Sequence, residues 1–134
     1  MRDDGNVMNQ NTSLNGQLIQ LTGVTKTYPM GEGRIVALDD VSLGLQSGEF
    51  SGLVGPSGSG KTTLLNIVGS LDEPTSGQAV VLGEDIAQLD EKRAAQLRNL
   101  HIGFIFQTFN LLPVYSVFEN VEFPLLLLRQ GADQ

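Results

Sequence analysis

The first third of the chain alternates apolar and polar positions, and that period of two predicts strands. Residues 18–28, LIQLTGVTKTY, combine β-branched residues with partial alternation. PMGEGR, residues 29–34, has turn chemistry. In IVALDDVSLGLQ, residues 35–46, the apolar set is Val36, Leu38, Val41, Leu43 and Leu45, which predicts one or two strands broken at Asp39 and Asp40. SGE is a turn leading into a short buried strand over 50–54, weakened by Ser51 and Gly52. The period then lengthens: an apolar helical run extends from about Gly60 to Ser70. DEPTSG is a turn, residues 78–82 a strand and GED another turn. A polar helix is predicted over 90–100, with Ala94, Leu97 and Leu100 on one side, then a strand over 102–107. After LLPVYS comes a helix over 117–121, disturbed at Pro124. Residues 1–17, rich in Asn, Gln, Asp and Gly, are expected to form a flexible N-terminal tail.

Composition narrows the picture only modestly. At 134 residues, 40% hydrophobic and 17% charged, the chain is long enough for one domain with a real core. A net charge of −7 repels phosphate backbones, so nucleic acid is not an expected partner. There is no cysteine, which excludes a disulfide framework. The N-terminus has no apolar signal-peptide core, and the longest apolar run near the end, residues 125–128, is too short to span a bilayer. The chain reads as cytoplasmic, with docking on a membrane protein left open.

The candidate chemistry is concentrated in VGPSGSGKTTLLNIVG, residues 54–69. Gly55, Pro56, Ser57, Gly58, Ser59, Gly60, Lys61 and Thr62 satisfy G-x-x-x-x-G-K-[ST]. Glycines let the backbone curl so that successive N–H groups point inward at phosphate oxygens. The helix that begins at the loop adds its uncapped N–H groups and positive dipole end. Lys61 can reach the outer phosphates, the Thr62 hydroxyl is placed to bind Mg²⁺, and Thr63 completes the cofactor-binding set. The competing reading, a plain Gly/Ser-rich turn, is disfavoured because a predicted strand precedes the motif and a predicted helix follows it.

Three phrases, GPSGSGKTTLLNIVGSLDEPTSG, LRNLHIGFIFQTFNLLP and SVFENVEFPLL, together resemble ABC-transporter ATP-binding subunits, nearest to the lipoprotein-releasing and macrolide-export branch. The resemblance runs from about Leu18 to Leu128. It implies an α/β fold: a P-loop NTPase core with an antiparallel β element, truncated before the helical subdomain is complete, so that residues 18–134 form a partial ATP-binding domain. It also implies ATP and Mg²⁺ as cofactors. Tyr28 matches the aromatic residue that stacks on adenine, although a tyrosine packed at a strand end is the plainer local reading. Gln107 matches the glutamine that senses Mg²⁺ and the attacking water, so the implied metal set is Thr62 and Gln107. The segment TFNLLPVYSVFENV matches the start of the region that contacts the membrane permease; locally it also reads as a surface helix. A second ATP-binding subunit, and a place on the cytoplasmic face of the inner membrane when assembled, are further implications.

The family pattern is incomplete in these residues. There is no LSGGQ-like signature, no second apolar strand ending in Asp-Glu, and no switch histidine. Asp72 and Glu73 imitate the Asp-Glu motif, but a helix between them and Lys61 puts them about 15 Å from the phosphates, where a solvated turn is expected. TSGQ leads into a strand rather than capping a helix, and His101 precedes the predicted 102–107 strand, too early for the switch. Glu84, Asp85, Asp90 and Glu91 read as solvated charges in turns or at a helix start. The isolated chain is therefore expected to bind Mg-ATP and to hydrolyse it poorly or not at all. Two alternatives remain at this stage: a non-catalytic, nucleotide-dependent interaction module, and another P-loop enzyme such as a small kinase. The latter would need an arginine-bearing lid, and the basic residues show no such cluster.

Overall fold

The structure is a computed structural model describing residues 16–132. The expected tail at 1–17 lies outside the described residues except for its last two positions, and Gln17 already belongs to the first strand. Strands β1 (Gln17–Met30) and β2 (Gly33–Gln46) form a long antiparallel hairpin closed by Gly31 and Glu32. Helix α1 (Lys61–Val68) follows, then β3 (Ser76–Val81), the two-residue β4 (Glu84–Asp85) and a single 3₁₀ turn over 86–88. Helices α2 (Glu91–His101) and α3 (Val117–Ala132) complete the order. The sheet order is β2-β1-β3-β4 and every pairing is antiparallel.

The break expected at Asp39 and Asp40 is a bulge inside one continuous strand. Val24 pairs with Val41 and Lys26 with Leu38, so two residues of β2 face one of β1. Asp40 takes the left-handed conformation, φ 50°, and its amide donates to Thr25 Oγ1 at 3.1 Å. Leu21, Val24 and Leu38 from the hairpin and Ala79 and Val81 from β3 form a buried cluster with Leu64 and Ile67 of α1. Ile86 and Leu97 join it.

Helix α1 owes its stability to that cluster more than to propensity. Thr62, Thr63, Ile67 and Val68 are β-branched and indifferent helix formers. Leu64 and Ile67, three apart, bury one face against the sheet. In α2, Asp90 is the N-cap, accepting from the Arg93 amide at 2.7 Å. Only part of its expected apolar side is covered: Leu97 is buried, whereas Leu100 is 64% exposed.

Two expected strands are not formed. Residues 50–54 have no ladder partner, and Phe50 and Val54 are fully exposed. Residues 102–107 are likewise unpaired. Phe104 and Phe106 still project to one side, their rings stacked 5.6 Å apart, as residues two apart do in an extended chain. Local sequence supplies extension and alternation, but a strand also needs a neighbour for its N–H and C=O groups, and no described segment provides one. The third correction is at Pro124: α3 runs through it without a break. The ring removes one intrahelical bond, and the helix forms on both sides.

The phosphate-loop candidate site

The loop between β2 and α1 sits at the helix's N-terminal end. Gly60 is the N-cap with φ 84°, a left-handed conformation, and its carbonyl accepts the first helical bond, from the Leu64 amide at 2.8 Å. The amides of Lys61, Thr62 and Thr63 therefore precede the hydrogen-bond ladder and have no acceptor within the helix. No side chain caps them, and no acid stands in the first turn. The end of α1 keeps its positive partial charge open to the loop.

Glycine at position 60 is required twice over. Besides its φ, a Cβ there would lie 2.4 Å from the Ala37 carbonyl oxygen and 3.0 Å from Leu38 Cδ2. The loop is thus pressed directly onto β2, a contact that no local pattern announces. A Cβ at Gly55 would meet Ser59 Oγ at 2.7 Å, and Gly58 is left-handed at φ 81°.

Lys61 turns back into the loop. Its ammonium donates to the carbonyls of Gly55 at 2.9 Å and Pro56 at 2.6 Å, and lies 3.2 Å from Ser59 Oγ. Ser59 N donates to Pro56 O at 3.3 Å, which closes the turn. Ser57 lies on the exposed outer part of the same loop, and Thr62 is exposed on the first turn of α1.

Thr62 and Gln107 line one cleft of about 610 Å³ between α1 and the 102–107 segment. Leu65, Val68, Phe104 and Phe106 make most of that cleft apolar. Among the described residues no group of three or more His, Cys, Asp or Glu converges to hold a metal ion. A hydroxyl and an amide oxygen at one cleft, beside an uncapped helix end, suit a hard cation that brings phosphate and water ligands with it. The residues present fit Mg²⁺ carried by a nucleotide.

Tyr28 stands on β1 opposite Ile35 of β2, and its hydroxyl donates to Asp72 Oδ2 at 2.7 Å. Lys26 bonds the other carboxylate oxygen of Asp72 and the Glu73 carbonyl, the latter at 2.7 Å. Asp72 is therefore a partly buried junction between β1 and the turn after α1, where the sequence alone suggested a solvated turn. Burial raises its pKa, but hydrogen bonds from Lys26, Tyr28 and the Glu73 amide, with the charge of Lys26, outweigh it and hold the carboxyl below its ordinary value. Lys26 and Asp72 are 46 positions apart, which hid the pair from sequence reading.

Two of the acids read as solvated charges have partners within the fold. Asp85 caps the 3₁₀ turn through the Ala87 amide at 3.2 Å, and Glu84 lies 3.6 Å from Arg93. His101 is the exposed last residue of α2.

An antiparallel sheet against a helix led by a glycine loop and a lysine defines a nucleotide-binding cassette of the P-loop class. The chain belongs to the ABC transporter family, which matches residues 38–134. It is 48% identical over 115 residues to an uncharacterized ABC transporter ATP-binding protein, MJ0796, of Methanocaldococcus jannaschii; the match covers 86% of this chain and 49% of that protein. The macrolide export ATP-binding/permease protein MacB of Burkholderia pseudomallei is 50% identical over 111 residues, 83% of this chain and 17% of that one. Among solved structures, a dimeric post-hydrolysis state of the MJ0796 cassette bound to ADP and Pi superposes with a TM-score of 0.77 at 48% identity, covering 81% of this chain and 47% of that chain. The chain thus spans about half the length of the single-cassette relatives it matches.

Proposed function

We propose that this chain is the nucleotide-binding part of an ABC transporter ATPase and that residues 55–62 grip the triphosphate of ATP. The observation that carries the reading is the placement of Lys61 inside a glycine loop at the uncapped end of α1. The amides of Lys61, Thr62 and Thr63 would donate to phosphate oxygens, and the Lys61 ammonium would exchange its loop carbonyls for the outer phosphates. Gly55, Pro56, Ser57, Gly58 and Ser59 form the wall that lets phosphate approach the backbone. Thr62 and Gln107 would hold Mg²⁺, which when bound supplies charge neutralisation at the phosphates. Tyr28 would stack on the base.

The partners follow from the same reading: a membrane permease met by the segment after Gln107, and a second ATP-binding subunit. The assembled complex would sit on the cytoplasmic face of a membrane. No described helix is long and apolar enough to cross one. Phosphoryl transfer at such sites is mostly positioning and charge stabilisation. These 134 residues supply the cradle but no LSGGQ-like signature and no carboxylate pair at the end of a second apolar strand. Binding without appreciable turnover is the expected behaviour of the isolated chain.

Calorimetric titration with ATP, with and without Mg²⁺, tests the assignment. Lys61→Ala is expected to weaken binding at least about tenfold, the scale of one charge-assisted phosphate contact. Equal affinity in the two proteins would contradict it.

A further inference from the structure

The junction at Asp72 is not used by the phosphate chemistry, yet it ties two side chains of β1 to the turn after α1. One carboxylate oxygen takes the Lys26 ammonium and the Glu73 amide, the latter at 2.8 Å; the other takes the Tyr28 hydroxyl at 2.7 Å. Lys26 also lies over the Tyr28 ring, 5.1 Å from its centroid. One face of the ring is thereby covered by a cation.

The placement relative to the loop is specific. Tyr28 pairs with Ile35 on β2, and two residues further along β2 the Ala37 carbonyl abuts Gly60. The hairpin therefore touches the phosphate-loop end of α1 through Ala37 and the turn beyond its other end through Asp72. A ring fixed by Asp72 is fixed relative to the loop. A free tyrosine on a strand would sample several rotamers, and ordering it on binding has an entropic cost.

We infer that Asp72 is a positioning residue for base recognition: it holds the Tyr28 ring, through the hydroxyl, in the orientation whose face opposite Lys26 receives a nucleotide base. This rests on the nucleotide reading of the 55–62 loop. Because stacking uses the face common to all bases, the device strengthens binding of nucleosides over bare polyphosphate without selecting strongly among bases.

The test compares Mg-ATP with Mg-tripolyphosphate by calorimetry on the full chain and on Asp72→Ala, Tyr28→Phe and the double variant. Each single variant is expected to weaken ATP binding about tenfold, within the range of one base–aromatic stack, while tripolyphosphate affinity stays within about twofold. The double variant is expected to be no weaker than either single one by more than about twofold, since both act through one ring. Equal loss for both ligands, additive losses, or unchanged ATP affinity in Tyr28→Phe would overturn the inference. Tyr28→Phe keeps the ring and carries the test if Asp72→Ala fails to fold. Wild type binding neither ligand would instead overturn the nucleotide reading, and this inference with it.

Discussion

Two adjacent residues set the geometry of the loop. Gly60 makes the left-handed turn into α1 while lying against the Ala37 carbonyl, and Lys61 returns its ammonium to the loop's own carbonyls. Gly60→Ala would combine an unfavourable φ with a backbone clash that no rotamer relieves. It is expected to lower stability by at least about 2 kcal/mol, read as a drop in the urea midpoint. Asp72 gives a pH signature. Its folded pKa is depressed, so its contribution is fully present above the ordinary carboxylate value of about 4 and is lost as pH falls through the folded pKa. The wild type is expected to exceed Asp72→Asn in stability by up to about 1 kcal/mol near neutral pH, with the gap closing below about pH 4. Thermal melts across pH 2.5–7 measured in steps of about half a unit would show it; a gap that widened on acidification would contradict the ion pair.

At the scale of elements, local signals decided ends and tertiary contacts decided the rest. Asp90 reads as a solvated charge at a helix start, and the structure gives it a sharper part as the cap of α2. The start of α3 is a reciprocal capping box: Glu119 N donates to Ser116 Oγ at 3.3 Å and Ser116 N to Glu119 Oε2 at 2.7 Å. Asn120 braces the preceding turn, accepting from the Leu112 amide at 2.8 Å and donating to the Leu112, Tyr115 and Ser116 carbonyls. Ser116→Ala is expected to cost about 1 kcal/mol and to speed amide exchange in the first turn of α3. Unchanged exchange there would show that Asn120 alone holds the turn. The passage of α3 through Pro124 was not legible in the sequence, because one missing donor does not outweigh helix formation on both sides.

Across the molecule, the difference between what was readable and what was not follows the range of the interaction. The hairpin, α1, β3 and α2 were legible because alternation, glycine turns and caps are written within a few residues. The glycine loop before α1 was legible because left-handed positions such as those of Gly58 and Gly60 call for glycine. That 50–54 and 102–107 find no ladder partner among the described residues was not, since strand pairing is a relation between distant segments. Phe50, Val54 and Ile105 show the result, each fully exposed on extended backbone that nothing described covers. The Asp72 junction and the contact of Gly60 with β2 escaped for the same reason: each joins residues more than twenty positions apart. The functional reading rests on the part of the molecule where local and tertiary evidence coincide, the glycine loop seated between β2 and the first turn of α1.

That coincidence is most directly tested by following backbone amide resonances of this 14.4 kDa chain while Mg²⁺ and a non-hydrolysable ATP analogue are added. The largest shifts are expected at residues 56–63, saturating together, with smaller ones near Tyr28 and Gln107. Amides of 56–63 left unmoved at saturating nucleotide, or the main response falling on surfaces away from the loop, would contradict the account.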